Sequence, residues 1–150
     1  MPQNKEDDGR MVDEFMRSHG RKIICGGTTA QVFSRESGME LTTDDHDLLT
    51  SEVPPISHIN GIDLVTEGII TMNRCCELLE NNQLDNLPEN GATMLLNQLL
   101  RADRITIFFG TQLNPAYEQI KPGIRLRNVV IEKLTVQLQR LGKEVIIHKY

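Results

Sequence analysis

The chain has 150 residues, of which 39% are hydrophobic and 25% are charged, the usual composition of a globular protein. This length suits a single folded domain, which we place at residues 11–150 after a polar lead-in at residues 1–10. The formal net charge of −5, without a Lys/Arg block or a long apolar run, argues against a generic nucleic-acid-binding or membrane-spanning protein.

The first part of the chain has the pattern of a helix, a strand, a turn and a second helix. Hydrophobic residues at helical spacing predict a helix over residues 11–18. The compact apolar run at residues 22–25 predicts a strand, which Gly26-Gly27 closes as a tight turn. The two threonines that follow are suitable caps for another helix, and Gly38 ends it.

The next part contains a polar stretch and a second strand–helix pair. Residues 39–57 are acidic, rich in Thr and interrupted by Pro54-Pro55, so we expect irregular or edge structure there. The β-branched run at residues 62–65 predicts a short strand. Apolar residues at helical spacing then predict a helix of about four turns that begins near Thr66.

The last part repeats this alternation of helices and strands. Residues 81–90 form a polar connector, and residues 92–101 have helical periodicity. Residues 104–109 are the clearest strand in the sequence. A long amphipathic helix through residues 129–141 leads to a final strand at residues 144–148.

The alternation predicts an α/β fold. Short and almost continuously apolar strands are typical of parallel sheets that are buried on both faces, with helices covering each face. We therefore expect a small three-layer domain with a mostly parallel sheet flanked by helices, similar to a Rossmann fold.

Three turns carry the residues that are best suited to binding a ligand. Each turn follows a predicted strand, and in a parallel sheet all three would lie at the carboxyl ends of the strands, where ligands usually bind. Glycines and helix starts also leave backbone N–H groups free for an anion or a nucleotide. The candidate ligand-binding residues are Gly26, Gly27, Thr28, Thr29, Thr66, Glu67, Gly68, Gly110, Thr111 and Asn114.

Each turn taken alone also has a purely structural interpretation. Gly-Gly pairs and Thr caps are ordinary loop chemistry, and the spacing matches neither the dinucleotide fingerprint nor the phosphate loop with its Lys. Glu67 could act as a base or orient a sugar hydroxyl, but a Glu near a helix start also simply favours the helix dipole.

Several other polar residues have both a functional and a structural interpretation. Arg125 and Arg127 could clamp an anion, or be solvated or paired on the surface. His46 lies among three aspartates, which suggests a hard cation, but the glycine and terminal Glu of a calcium loop are missing, so we predict no metal site. Cys25 is either a reactive thiol or a small apolar residue at the end of a buried strand.

The cysteines and histidines limit the redox and metal chemistry. Cys75 and Cys76 are adjacent and make a poor disulfide framework, while the four histidines are scattered singly without zinc spacing. The N-terminus is polar and acidic, unlike a signal peptide. We expect reduced thiols, no structural metal and a cytoplasmic protein.

Three segments resemble a known family. They are KIICGGTTA at residues 22–30, PPI at residues 54–56 and GIDLVTEG at residues 61–68, with a further similar stretch at residues 125–134. The chain resembles, over nearly its whole length, the C-terminal region of bacterial phosphatases of the stage II sporulation protein E type. The two glycine-centred motifs are the most specific part of the resemblance.

The resemblance implies that the chain belongs to a metal-dependent serine/threonine phosphatase. Such phosphatases hold two Mg or Mn ions with spaced Asp-Gly motifs, whereas the sole Asp-Gly here is Asp8-Gly9, in the lead-in. Two-metal catalysis needs several converging carboxylates, so we assign no catalytic residue and no cofactor to this chain. Mg or Mn is expected in the catalytic domain of the parent polypeptide.

Three functions follow from these observations. The leading hypothesis is a regulatory or ligand-sensing domain that contacts the catalytic domain of the same polypeptide and binds a phosphorylated small molecule. The second is a protein-interaction module that docks on the catalytic domain or forms a homodimer. The third is a stand-alone enzyme or binder of phosphorylated small molecules, with Glu67 as the base.

Overall fold

A computed structural model describes residue 2 and residues 4–43, 56–84, 86–111 and 126–150. Within these ranges, a short 3-10 turn at Lys5–Asp7 leads into the helices α1 (Asp8–Arg17), α2 (Gly27–Ser37), α3 (Ile69–Glu80), α4 (Gly91–Arg101) and α5 (Arg127–Arg140). The strands are β1 (Ile23–Cys25), β2 (Leu41–Thr43), β3 (Ser57–Ile59), β4 (Leu64–Thr66), β5 (Arg104–Phe109) and β6 (Glu144–Lys149).

The described strands form two sheets. The larger sheet has four strands in the order β1-β4-β3-β2, in which β1 and β4 are parallel and the other neighbours are antiparallel. The smaller sheet pairs β5 and β6 in parallel over six residues each, from Arg104 opposite Glu144 to Phe109 opposite Lys149. The two parallel pairs are therefore separated into different sheets.

The prediction of a mostly parallel sheet is wrong for the larger sheet. The strand β2 is the edge strand, and β3 lies between β2 and β4. Each has three residues, most of them partly or largely exposed, although Ile59 of β3 is buried. Antiparallel strands can keep one face in water, and this suits the polar composition of that part of the chain. The expectation of edge structure between residues 39 and 57 is thus confirmed for β2, whereas residues 44–55 lie outside the described residues.

Helices cover both faces of the larger sheet. Neighbouring residues of β4 point to opposite faces, and they pack in two separate apolar clusters. Val65 packs with Val12 of α1 and Phe33 of α2 in one apolar cluster. Leu64 packs with α3, α4 and α5 in the other cluster, whose members include Met72 and Leu95. The prediction of an α/β domain with a small sheet between helices is confirmed.

The helix α1 connects the two sheets. The ring of Phe15 lies edge-on to Phe33 with the centroids 5.8 Å apart, and edge-on to Phe108 of β5 with the centroids 5.7 Å apart. Tyr150, which follows β6, donates its hydroxyl hydrogen bond to Glu14. The smaller sheet is therefore held against α1 on one side, while Ile107 and Phe109 of β5 pack with the cluster around α5 on the other.

The described helices are short, with α5 the longest at 14 residues. None of them has the length and the apolar character that crossing a bilayer requires.

Candidate functional site

The first two predicted turns meet at the carboxyl ends of β1 and β4. The backbone N–H of Gly26 donates to the carbonyl of Thr66 at 2.9 Å. A Cβ atom on Gly68 would lie 3.0 Å from the Cα of Gly26, which is tighter than most side-chain contacts in proteins. Gly26 itself has a φ of 129°, a value that only glycine adopts readily. The two glycine-centred motifs are therefore one tightly packed corner.

The start of α2 follows directly from this corner. The helix begins at Gly27 with Gly26 as its N-cap, so the threonines predicted as caps lie inside the first turn instead. Thr28 is exposed, while Thr29 is half-buried and lines a cavity described below. No side chain caps this end of the described helix, so its first N–H groups are available to another acceptor.

Glu67 has the structural role that its position at a helix start suggests. Its Oε2 accepts a hydrogen bond from the backbone N–H of Ile70 at 3.2 Å, in the first turn of α3. Burial raises the pKa of the carboxyl, and the backbone hydrogen bonds partly offset this effect. Thr66 lies in β4 with its side chain buried, and α3 begins only at Ile69.

Of the described residues of the third predicted turn, the first one, Gly110, reaches the same region. Gly110 is buried and lines the cavity, and its carbonyl accepts a hydrogen bond from Nη2 of Arg127 at 2.9 Å. Thr111 is directed elsewhere, since its N–H and hydroxyl both donate to the carbonyl of Tyr150, at 2.9 and 2.7 Å. Asn114 lies outside the described residues.

A cavity of about 980 Å³ lies between β1 and β5, and we call it the β1–β5 cavity. Ile23, Ile24 and Cys25 line it from β1, and residues 104–109 line it from β5. Side chains from all five helices close its other walls. The cavity thus occupies the place where the two parallel strand pairs face each other.

The charges around the β1–β5 cavity are of one sign. Among the described residues that line it are four arginines and no Asp or Glu, although the whole chain carries a net charge of −5. Arg21 donates to Oε1 of Gln98 at 2.8 Å, a neutral partner. Arg104 is paired with Glu144 at 2.6 Å, and Arg127 lies over the ring of Phe109. The lining is therefore apolar with a positive edge.

Cys25 lines the cavity but has a weakly acidic thiol. Burial raises its pKa from 9.0 to about 11, and the nearby carboxylate of Glu67 adds to this shift. Because the thiolate is the reactive form, the thiol is inert near neutral pH. The structural interpretation of Cys25 as a small apolar residue is therefore the one that its surroundings favour.

The described residues do not provide a metal centre. No three side chains of His, Cys, Asp or Glu within them are placed to hold a metal ion. Asp8, of the single Asp-Gly pair, is buried and paired with Arg35 at 2.6 Å. The acidic residues around His46 and the predicted anion clamp residue Arg125 lie outside the described residues.

The positive edge of the cavity was not identified from the sequence. Arg21 lies just before β1, and Arg101 and Arg104 lie on either side of the connection into β5. The sequence places Arg21 and Arg104 at the amino ends of two predicted strands, which would lie at one end of a single parallel sheet, whereas β1 and β5 belong to different sheets. The predicted site lies at the carboxyl ends of the strands, where ligands bind most often, and therefore does not include these arginines.

Comparison with protein-family models, with curated proteins and with solved structures finds no match for this chain.

Proposed function

We propose that the chain is a ligand-binding domain and that the β1–β5 cavity is its binding site. The observation that carries this function is the cavity itself, about 980 Å³ in volume and lined by both sheets. Small-molecule sites are concave, mostly apolar and about 300–1,000 Å³ in size, with a few polar groups that fix the ligand. Thr29, Gly110 and the arginines are such groups here.

The strand arrangement around the cavity supports a Rossmann-like interpretation of the fold. The parallel pairs β1–β4 and β5–β6 lie on either side of the cavity, as the two halves of a doubly wound sheet would. In such sheets, ligands bind where the strand order reverses, outside the carboxyl ends of the strands. Cys25 ends β1 and Gly110 follows β5, and both line the cavity.

We further propose that the domain regulates a metal-dependent serine/threonine phosphatase of the stage II sporulation protein E type. The sequence resemblance supports this role, and Mg or Mn would then be held by the catalytic domain of the parent polypeptide. The carboxylate of Asp8 is engaged by Arg35, so it does not fit a catalytic metal site. The present chain would act by binding its ligand and contacting the catalytic domain.

The binding function is tested by thermal unfolding of the chain in the presence of nucleotides, sugar phosphates and carboxylic acids. A ligand present at 100 times its Kd stabilises the folded state by about 2.7 kcal/mol, which raises the Tm by several degrees. Thr106 is an exposed residue that lines the cavity, so Thr106→Trp is expected to fill the cavity and abolish the shift. Val136→Trp, on an exposed position of α5 outside the cavity, should retain it.

The binding proposal fails if no compound raises the Tm, or if Thr106→Trp leaves the shift unchanged.

The regulatory role is tested on the natural polypeptide. If the reading frame extends upstream into a segment with spaced Asp-Gly motifs, that polypeptide should hydrolyse a phosphoserine peptide with Mn²⁺. The ligand should change the rate, and Thr106→Trp should remove this response, whereas Val136→Trp should retain it. A native start at Met1 removes the phosphatase role and leaves the binding function intact.

A second candidate function is dimerisation through α5 and β6. Five large apolar side chains in the last 25 residues are exposed, and a partner chain could cover them. These residues are Leu126, Val136, Leu141, Ile146 and Ile147. Sedimentation of the chain as a dimer that Leu141→Lys converts to a monomer would support this function, and a monomer at high concentration would contradict it.

A further inference from the structure

We infer that the β1–β5 cavity binds a single-chain anionic amphiphile, with an alkyl chain in the apolar interior and a carboxylate or phosphate head at the arginines. This inference rests on the proposed binding function and adds the chemical class of the ligand. It depends on two independent features of the lining, the apolar interior and the positive opening.

The interior offers apolar contacts along the whole space between the two sheets. The side chains that line it from the helices are mostly aliphatic or aromatic, and several of them are buried. Examples are Val12, Phe33, Leu95, Leu134 and Leu138. Removing methylene groups from water is favourable, so an alkyl chain in contact with these side chains is stabilised.

The opening is positive and is made by exposed residues at the amino ends of β1 and β5. His19, Arg21 and Arg101 are exposed and also line the cavity, so they lie where the cavity meets solvent. Arg21 contacts Gln98, which is three residues before Arg101 and therefore on the same face of α4. Arg21 and Arg101 therefore both lie on the side of the opening that α4 forms.

Two of the arginines at this opening, Arg21 and Arg101, form no salt bridge within the described residues, whereas Arg104 is paired with Glu144. Arg21 is bonded to a neutral amide oxygen. Arginine binds carboxylates and phosphates through two parallel hydrogen bonds, which makes a pair of them a suitable partner for an anionic head group.

A nucleotide fits the described lining less well. A base and a ribose need several hydrogen-bonding side chains, whereas the uncharged polar side chains of the described lining, apart from the thiol of Cys25, are Ser18, His19, Thr29, Gln98 and Thr106. A phosphate alone would use the arginines but would leave the apolar interior without contacts.

Calorimetric titration with tetradecanoate below its micelle concentration tests the inference. Tetradecanol has the same chain without the charge, tetradecyltrimethylammonium has the opposite charge, and acetate has the head without the chain. We expect saturable binding of tetradecanoate with at least about tenfold higher affinity than either long-chain analogue. Acetate is expected to show no binding.

Charge variants then locate the head group. Arg21→Gln and Arg101→Gln are each expected to weaken tetradecanoate binding about tenfold while leaving tetradecanol unchanged. Arg17→Gln is the matched control, because Arg17 is an exposed arginine on α1 that does not line the cavity. Thr106→Trp is expected to abolish binding of both long-chain compounds.

Five outcomes would overturn the inference. Equal affinities for tetradecanoate and tetradecanol would show that the site does not recognise the anionic head. Loss of binding in Arg17→Gln would show that the effect of charge does not come from the arginines of the opening. Binding to phosphatidylglycerol vesicles without uptake of free tetradecanoate would indicate a membrane surface instead. Binding of ATP that Thr106→Trp blocks, with no binding of tetradecanoate, would refute the amphiphile and keep the proposed binding function; if neither compound binds, both fail.

Discussion

Two buried threonines near the start of α4 differ in what their hydroxyl groups bind. Thr71 of α3 is fully buried, and within the described residues its Oγ1 has no hydrogen-bond partner. Thr93 of α4 is also buried, but its Oγ1 accepts from the N–H of Asn90 at 3.0 Å and donates to the carbonyl of Pro88 at 2.9 Å. The hydroxyl of Thr71 is therefore unpaired within the described residues, whereas that of Thr93 is paired twice.

The two threonines should respond differently to replacement by valine, which has nearly the same shape. Thr71→Val should leave the free energy of unfolding unchanged or raise it by about 1 kcal/mol, since an unpaired buried hydroxyl is removed. Thr93→Val should lower it by about 1–3 kcal/mol, since a capping hydrogen bond is lost. Urea denaturation measures both, and a large loss of stability in Thr71→Val would contradict the first expectation.

The thiol of Cys25 should react slowly in the folded chain. Its pKa of about 11 instead of 9.0 leaves about a hundredfold less thiolate at pH 8 than in the unfolded chain. Alkylation by iodoacetamide followed by mass spectrometry should therefore be at least a hundredfold slower in buffer than in urea. Cys25→Ala serves to assign the signal, and fast alkylation of the folded chain would be incompatible with the buried thiol.

The raised pKa of Cys25 also makes the free energy of unfolding depend on pH in the alkaline range. Because the pKa of Cys25 is higher in the folded chain than in the unfolded chain, its contribution to stability is complete below about pH 9 and is lost as the pH rises to about 11. Burial raises the pKa of Cys75 as well, which acts in the same direction. The free energy of unfolding should thus fall more steeply above pH 9 in the native chain than in Cys25→Ala.

At the scale of the elements, the close packing of the two glycine motifs at the ends of β1 and β4 should contribute to stability. Gly68→Ala should lower the free energy of unfolding by about 1–3 kcal/mol, because its Cβ would lie 3.0 Å from the Cα of Gly26. Gly27→Ala is the matched control in the same corner, since no atom lies within 4 Å of its added Cβ. This control should be neutral or slightly stabilising, by less than about 1 kcal/mol.

Urea denaturation of the two glycine variants measures both changes in the free energy of unfolding. A neutral Gly68→Ala would mean that the corner can open, and the close packing of the two motifs would then not be required for folding.

The elements with clear periodicity could be predicted from the sequence with their bounds, whereas the polar stretch at residues 39–57 indicated edge structure but not the bounds of β2 and β3. Residues 104–109 were predicted as a strand and form β5 with the same bounds, and the predicted strand at residues 144–148 differs from β6 by one residue. Local pattern suffices for these strands, because both are apolar and bounded by turn residues. By contrast, β2 has three mostly exposed residues and becomes a strand only through pairing with β3.

At the scale of the whole molecule, the candidate site could be predicted only where turns that directly follow strands form it. The corner of Gly26 and Gly68 follows from glycines after two strands, and it was predicted. The β1–β5 cavity depends on how far apart two sheets lie, which no local pattern encodes. Its positive opening combines Arg21 with Arg101, two residues 80 positions apart that only the tertiary structure places together.

The aromatic contact of α1 with β5 links the two sheets and should be measurable as a coupling energy. Phe15 and Phe108 pack edge-on with centroids 5.7 Å apart, and such pairs contribute about 0.5–1.5 kcal/mol beyond the area they bury. In a double-mutant cycle of Phe15→Leu and Phe108→Leu, the free energy of unfolding should therefore show a coupling of that size. The control cycle combines Phe15→Leu with Val136→Ala, on an exposed position of α5, and should be additive within about 0.3–0.5 kcal/mol. Additivity in the aromatic cycle as well would mean that α1 does not hold the smaller sheet in solution, and that the β1–β5 cavity can widen without loss of this contact.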